Sequence, residues 1–135
     1  KKNNNFGFCA FTGYGAFWIS LCLMLIFGKN AELVKSYPVL AFNATDLGFF
    51  LLGWTIFTFA LFIASMKHNT TLALVFLTLL LGFIGLDIKE LAGSAAAGTF
   101  AAYDLIVCAF FAFYLMVVSI FGESGIKLPV GGPWI

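Results

Sequence analysis

Apolar positions come in four long runs, 6–27, 47–66, 72–91 and 100–121, parted by short stretches where Lys, Asp, Glu, Asn and Pro collect. At ~1.5 Å of rise per residue the first run gives ~33 Å, enough to cross a hydrocarbon layer of ~30 Å with some tilt. The pattern predicts an all-α, polytopic transmembrane bundle with four spans in one domain, 1–135. The tail, 122–135, carries Pro129 and Pro133 and is too polar and broken to cross.

The polar stretches place the boundaries. Gly28 offers a left-handed cap to the first span, and Lys29 suits the negative end of its helix dipole. A loop follows, 30–46; its middle holds Glu32, Lys35 and Pro38, so it can lie at the membrane surface but cannot span. Thr45 or Asp46 is expected to cap the second span. Lys67, His68, Asn69 and Thr70 make a tight turn, which sets the second and third spans antiparallel. Gly93, Ser94 and the small residues 95–98 read as a link to the fourth span.

Within the first run, Gly13 and Gly15 flank Tyr14 and remove bulk, so that a helix or a solute can approach the backbone. Tyr14 and Trp18 lie one turn apart on one face. Two readings stand for the pair: aromatic residues in a helix contact, or a phenol hydroxyl lining a pore.

Composition agrees with the membrane reading, with 62% hydrophobic residues and 10% charged, against about a quarter charged in ordinary soluble domains. The net charge of +1 offers no footprint for nucleic acid. No Arg is present, so no guanidinium fork can take a phosphate or dicarboxylate. Cys9, Cys22 and Cys108 fall inside apolar runs and read as small buried hydrophobes, with no disulfide framework, metal site or cofactor expected. Glycine loops for phosphate and nucleophile elbows are absent, so no enzyme is expected. Asn43-Ala44-Thr45 and Asn69-Thr70-Thr71 match the glycosylation acceptor pattern, but a span separates them, and chance is the better reading of each.

Acids inside the membrane are costly, and their depth decides their meaning. Asp87 and Glu90 lie three apart and face the same way. Residues 72–86 cover ~21 Å, which sets Asp87 within about two turns of the far interface, where Lys89 can snorkel to water. Asp104 falls one turn into the fourth span. For Asp87, Glu90 and Asp104 two roles stay open, a structural one at the interface and a vestibule for solute. Lys1, Lys2, Lys67 and Lys127 outnumber Lys29, Lys35 and Lys89 across the membrane, which puts both chain ends in the cytoplasm.

The motifs resemble the acetate uptake transporter family, also called the succinate-acetate permeases. Phe6-Gly7 with Ala10-Phe11-Thr12-Gly13-Tyr14-Gly15-Ala16-Phe17-Trp18 is similar to the third helix of that family, and Leu51-Leu52-Gly53-Trp54-Thr55-Ile56-Phe57-Thr58 to its fourth. Val75-Phe76-Leu77-Thr78-Leu79 resembles the fifth. Ala112-Phe113-Tyr114-Leu115, with Lys127-Leu128-Pro129-Val130-Gly131, resembles the sixth and the family's tail. The resemblance implies a six-helix protomer in the plasma membrane, often gathered into a hexamer, each protomer with its own route for acetate and related short carboxylates, with succinate as a further candidate. Two departures stand out. The family's first two helices and their signature have no counterpart here, as in a fragment, and the acid common in the sixth helix is replaced near Val118 by an apolar residue.

By resemblance, Tyr14 and Leu79 form two sides of the family's narrow hydrophobic gate. Each also lies ~12 Å into its span from the inferred cytoplasmic face, so the two reach one depth. The expected route includes the hydroxyls of Thr12, Tyr14 and Thr78, which replace water around a carboxylate, while Phe17 and Leu79 restrict size. The rival readings are a structural helical subunit of a larger membrane assembly and an amide or urea channel.

Overall fold

A computed structural model describes residues 4–135, and every regular element among them is helical. The elements are α1 (Asn5–Gly28), α2 (Ala31–Ser36), a single 3-10 turn (Pro38–Leu40), α3 (Ala44–Ser65), α4 (Thr70–Ala92) and α5 (Ala95–Glu123). α1, α3, α4 and α5 are each long and apolar enough to cross a membrane. The chain divides into two compact units, Lys1–Leu47 and Gly48–Ile135. The charge asymmetry invoked for orientation rests partly on Lys1 and Lys2, which lie outside the described residues.

In the first unit Asn4 caps α1, accepting from the Gly7 N–H at 2.9 Å. Gly28 does not take the left-handed conformation expected of it; it is the last residue of α1, and Lys29 closes the helix in an ordinary right-handed conformation. Gly28 is needed for space instead. A Cβ there would run into the Phe42 ring and stand 2.9 Å from the Leu40 carbonyl oxygen, so the loop folds back over the bare helix end. That loop is more regular than its composition suggests. Asn30 accepts from the N–H groups of Glu32 and Leu33 at 3.1 and 3.0 Å, and α2 then carries Glu32 in its first turn and Lys35 in its last, both matched to the dipole.

α3 begins a little earlier than expected, with Asn43 rather than Thr45 or Asp46 as the cap. Asn43 Oδ1 accepts from the Asp46 N–H at 3.0 Å while Asp46 Oδ2 accepts from the Asn43 N–H at 2.9 Å, a reciprocal capping box. Asn69 caps α4, accepting from the Leu72 N–H at 2.9 Å. Both glycosylation-like asparagines thus have a conformational use.

The second unit is built on α4, which lies between α3 and α5 and is the most buried of the long helices. One edge of α4 meets α3: Asp87 reaches Thr55, and Leu91 fills the space left by Gly48. Another edge meets α5: Gly82 accommodates Leu105, Gly85 meets Ala101, Gly98 receives the Lys89 stem, and the Cys108 thiol donates to the Val75 carbonyl at 3.4 Å. In both pairs rising numbers on one helix meet falling numbers on the other, so the neighbours are antiparallel. The glycines explain the closeness. Lipid tails are as apolar as Leu, so helices associate in a bilayer through close packing, which small residues permit.

α5 begins at Ala95, not after the small-residue stretch. Gly93 takes the left-handed cap of α4 at φ 68°, Ser94 accepts from the Ala97 N–H at 3.3 Å, and Ala95–Ala97, strong helix formers with nothing to interrupt them, wind the first turn.

The tail folds back onto the α3–α4 turn. The Val130 carbonyl accepts from both the N–H and the hydroxyl of Thr71 at 3.0 Å, and the Thr70 hydroxyl donates to Gly132 at 2.8 Å. The Trp134 N–H donates to Met66 at 2.8 Å, its indole N–H donates to Thr70 at 3.2 Å, and its ring meets Phe62 edge-on. A free donor at the start of α4 and a free acceptor just past α3 are both satisfied this way.

Candidate functional site

On α1 the buried positions Gly7, Ala10 and Phe17 recur at helical spacing, and half-buried Tyr14 falls in the same stripe. Tyr14 and Phe17 are therefore neighbours on one face. Phe17 is 5% exposed, and the Trp18 ring packs edge-on against it at 5.1 Å while itself remaining 65% exposed. Thr12 stands elsewhere. It is exposed, and at ~100° of turn per residue it points ~160° away from Tyr14. The space beside Gly15 is open, with no atom within 4 Å of where a Cβ would sit.

On α4, Thr78 is buried on the edge that meets α5, in step with Val75, Gly82 and Gly85. Its hydroxyl donates to the Leu74 and Val75 carbonyls of its own helix at 2.8 and 3.1 Å. A carboxylate needs donors, and this proton is already committed. Leu79, half-buried, lies a further ~100° round the helix and so departs from the α5 edge.

Two of the acids are more enclosed by neighbouring helices than their sequence positions suggest. Asp87 is 7% exposed, and its Oδ2 stands 2.6 Å from the Thr55 hydroxyl at the middle of α3. Its other oxygen, Oδ1, is buried with no hydrogen-bond partner. Glu90 does share the α3 side, where its Cβ lies 3.4 Å from the position a Gly48 Cβ would take, and its carboxylate pairs with Lys89 at 2.6 Å. Lys89 remains half exposed, as snorkelling requires. Asp104 is not one turn into its helix; because α5 begins at Ala95 it is ~13 Å in, and it lies against Gly82 at the middle of α4 with Oδ2 enclosed and unpartnered. Of the cysteines, Cys108 is buried, whereas Cys9 and Cys22 are exposed along α1.

In the sequence Thr55 and Thr58 figure only within the motif of the second span, and nothing there joins Thr55 to Asp87. The available signal was the spacing of Gly48, Leu51, Thr55, Thr58, Leu61 and Ser65, which form one buried stripe of small and hydroxyl residues inside an apolar helix.

Four long apolar helices and a small-residue core define a polytopic integral membrane protein. Comparison with known proteins gives the family. Residues 1–130 match the GPR1/FUN34/yaaH family. The chain is 35% identical over 133 residues to the succinate-acetate/proton symporter SatP of Escherichia coli K12, covering 97% of itself and 68% of that protein. It is 33% identical to ammonia transport outward protein 2 of Saccharomyces cerevisiae, covering 82% of itself and 39% of that protein. The solved structure of the bacterial acetate channel SatP superposes with a TM-score of 0.85 at 36% identity, over 96% of this chain and 70% of that one. This chain belongs to the GPR1/FUN34/yaaH family.

Proposed function

We propose that the chain is a transporter or channel for acetate and related short carboxylates, succinate among them, working as one transmembrane domain without covalent chemistry. The observation that carries this reading is the likeness to the bacterial acetate channel along nearly the whole chain, in sequence and in helix arrangement together. The yeast ammonia-transport relative is similar over a smaller share of both chains, which favours the carboxylate.

Tyr14 and Leu79 are the residues we assign to the narrow part of the route, with Phe17 beside Tyr14 restricting size. Tyr14 supports this by pairing a hydroxyl with a half-buried apolar stripe, and Leu79 by departing from the edge that packs against α5. Thr12 and Thr78 do not join them, being respectively turned away and already donating to backbone. Placement in the plasma membrane, both chain ends in the cytoplasm and assembly into a hexamer complete the reading. The exposed Phe8 and Phe11 of α1 and Phe110 and Phe113 of α5 suit lipid or further copies of the chain.

Expression in cells that lack acetate uptake tests the function. Restored uptake of labelled acetate, reduced by excess succinate, is the expected result; a well-expressed chain that restores none supports the structural-subunit reading instead.

A further inference from the structure

We propose that Asp87, positioned by Thr55, is a proton site of this chain, and the place at which the proton of the symport named for the SatP relative is exchanged. The coupling rests on the carboxylate-transport reading above; the proton site itself does not.

The geometry is that of a two-state hydrogen bond. Thr55 Oγ1 stands 2.6 Å from Asp87 Oδ2 and 3.2 Å from the Leu51 carbonyl oxygen. One hydroxyl has one proton and two lone pairs, so it cannot donate fully to both. With Asp87 charged, Thr55 donates to the carboxylate. With Asp87 protonated, Asp87 donates to the Thr55 oxygen and Thr55 turns its proton to Leu51. The Thr55 hydroxyl and Asp87 Oδ2 are satisfied in both states with no heavy atom displaced. Oδ1, buried and unpartnered, leaves the charged form without a second donor, which favours uptake of a proton on Oδ2. Binding forms one O–H bond and cancels one negative charge; release to water reverses both, with no other reactant.

Among the described residues, the charged groups on the elements packed here leave Asp87 without a counter-ion. Lys89 and Glu90 on α4 are joined to each other. On α3, Asp46 is bound into the cap with Asn43. On α5, Asp104 lies against Gly82, and Glu123 is the last residue of the helix. A buried acid in a membrane helix that has no cation beside it among the described residues, and whose one partner can either donate or accept, has the properties a proton carrier needs.

Infrared difference spectra of the purified full chain, recorded across a pH titration, test this through the carbonyl stretch of a protonated carboxyl. The wild-type band is expected to vanish in Asp87→Asn. In Thr55→Val the band is expected to change frequency and its titration midpoint to move by about one pH unit, the worth of one hydrogen bond to a charged group; Thr55→Ser restores both. An Asp87→Asn spectrum like the wild type's overturns the proposal. So does a Thr55→Val band and midpoint like the wild type's, which decides the matter even where Asp87→Asn fails to fold. Failure to move acetate would contradict the transport reading and leave these spectra unaffected. In vesicles at equal pH on both faces, Asp87→Asn is expected to flatten the pH dependence of labelled-acetate exchange, and a profile parallel to the wild type's overturns the coupling.

Discussion

The phenol of Tyr114 donates to the Pro129 carbonyl oxygen at 2.7 Å, tying α5 to the tail that lies across the α3–α4 turn. Gly131 makes the fold-back possible: its φ is 73°, and a Cβ there would stand 2.5 Å from the Thr70 side chain. Gly131→Ala is expected to cost ~1–3 kcal/mol through the left-handed conformation alone. Thermal unfolding in detergent should show the loss, together with faster proteolysis at Lys67. An unchanged melting temperature would mean that the tail does not hold the turn.

The contact between α4 and α5 gives a second expectation. A Cβ on Gly85 would meet the Ala101 Cβ at 2.9 Å and the Ala97 carbonyl oxygen at 3.1 Å, neither of which can swing aside. Gly53 has no atom within 4 Å of the same position. Gly85→Ala should therefore lower the melting temperature clearly, while Gly53→Ala should change stability by less than ~1 kcal/mol. Equal effects would remove close packing as the reason for Gly85.

The existence of the four spans was legible because each apolar run is long and its borders are polar. The faces were not. A helix that is apolar all round gives no stripe to read, so Thr12 and Tyr14 looked like one site although they point apart. The start of α5 was misread because small residues suggest a link in water, whereas Ala is the best helix former and Ser94 supplies a cap. The docked tail and the Thr55–Asp87 bond join residues far apart in the chain, which local pattern cannot reveal. The misplacement of Asp104 followed from the misplaced helix start.

Orientation can be tested at Lys67, exposed in the α3–α4 turn; Asn69 is a poorer choice because it caps α4. In a chain with Cys9, Cys22 and Cys108 replaced, Lys67→Cys should resist a membrane-impermeant thiol reagent in intact cells. Ready labelling would reverse the proposed orientation.

Leu79→Ala separates a route residue from a packing residue. Truncation in a packed core costs roughly 2–5 kcal/mol, and a smaller loss is expected at a solvated wall. Uptake of succinate should rise relative to acetate, whereas Tyr14→Phe should keep the size limit and slow acetate by removing a hydroxyl. An unchanged succinate-to-acetate ratio in a well-assembled Leu79→Ala protein would make Leu79 a packing residue.

The central claim is most directly tested by labelled-acetate flux through the purified chain in lipid vesicles, compared with protein-free vesicles because acetic acid itself crosses bilayers. Flux well above that background, reduced by excess succinate, is the predicted result. Flux equal to that of protein-free vesicles, from protein shown to be folded and inserted, would contradict it.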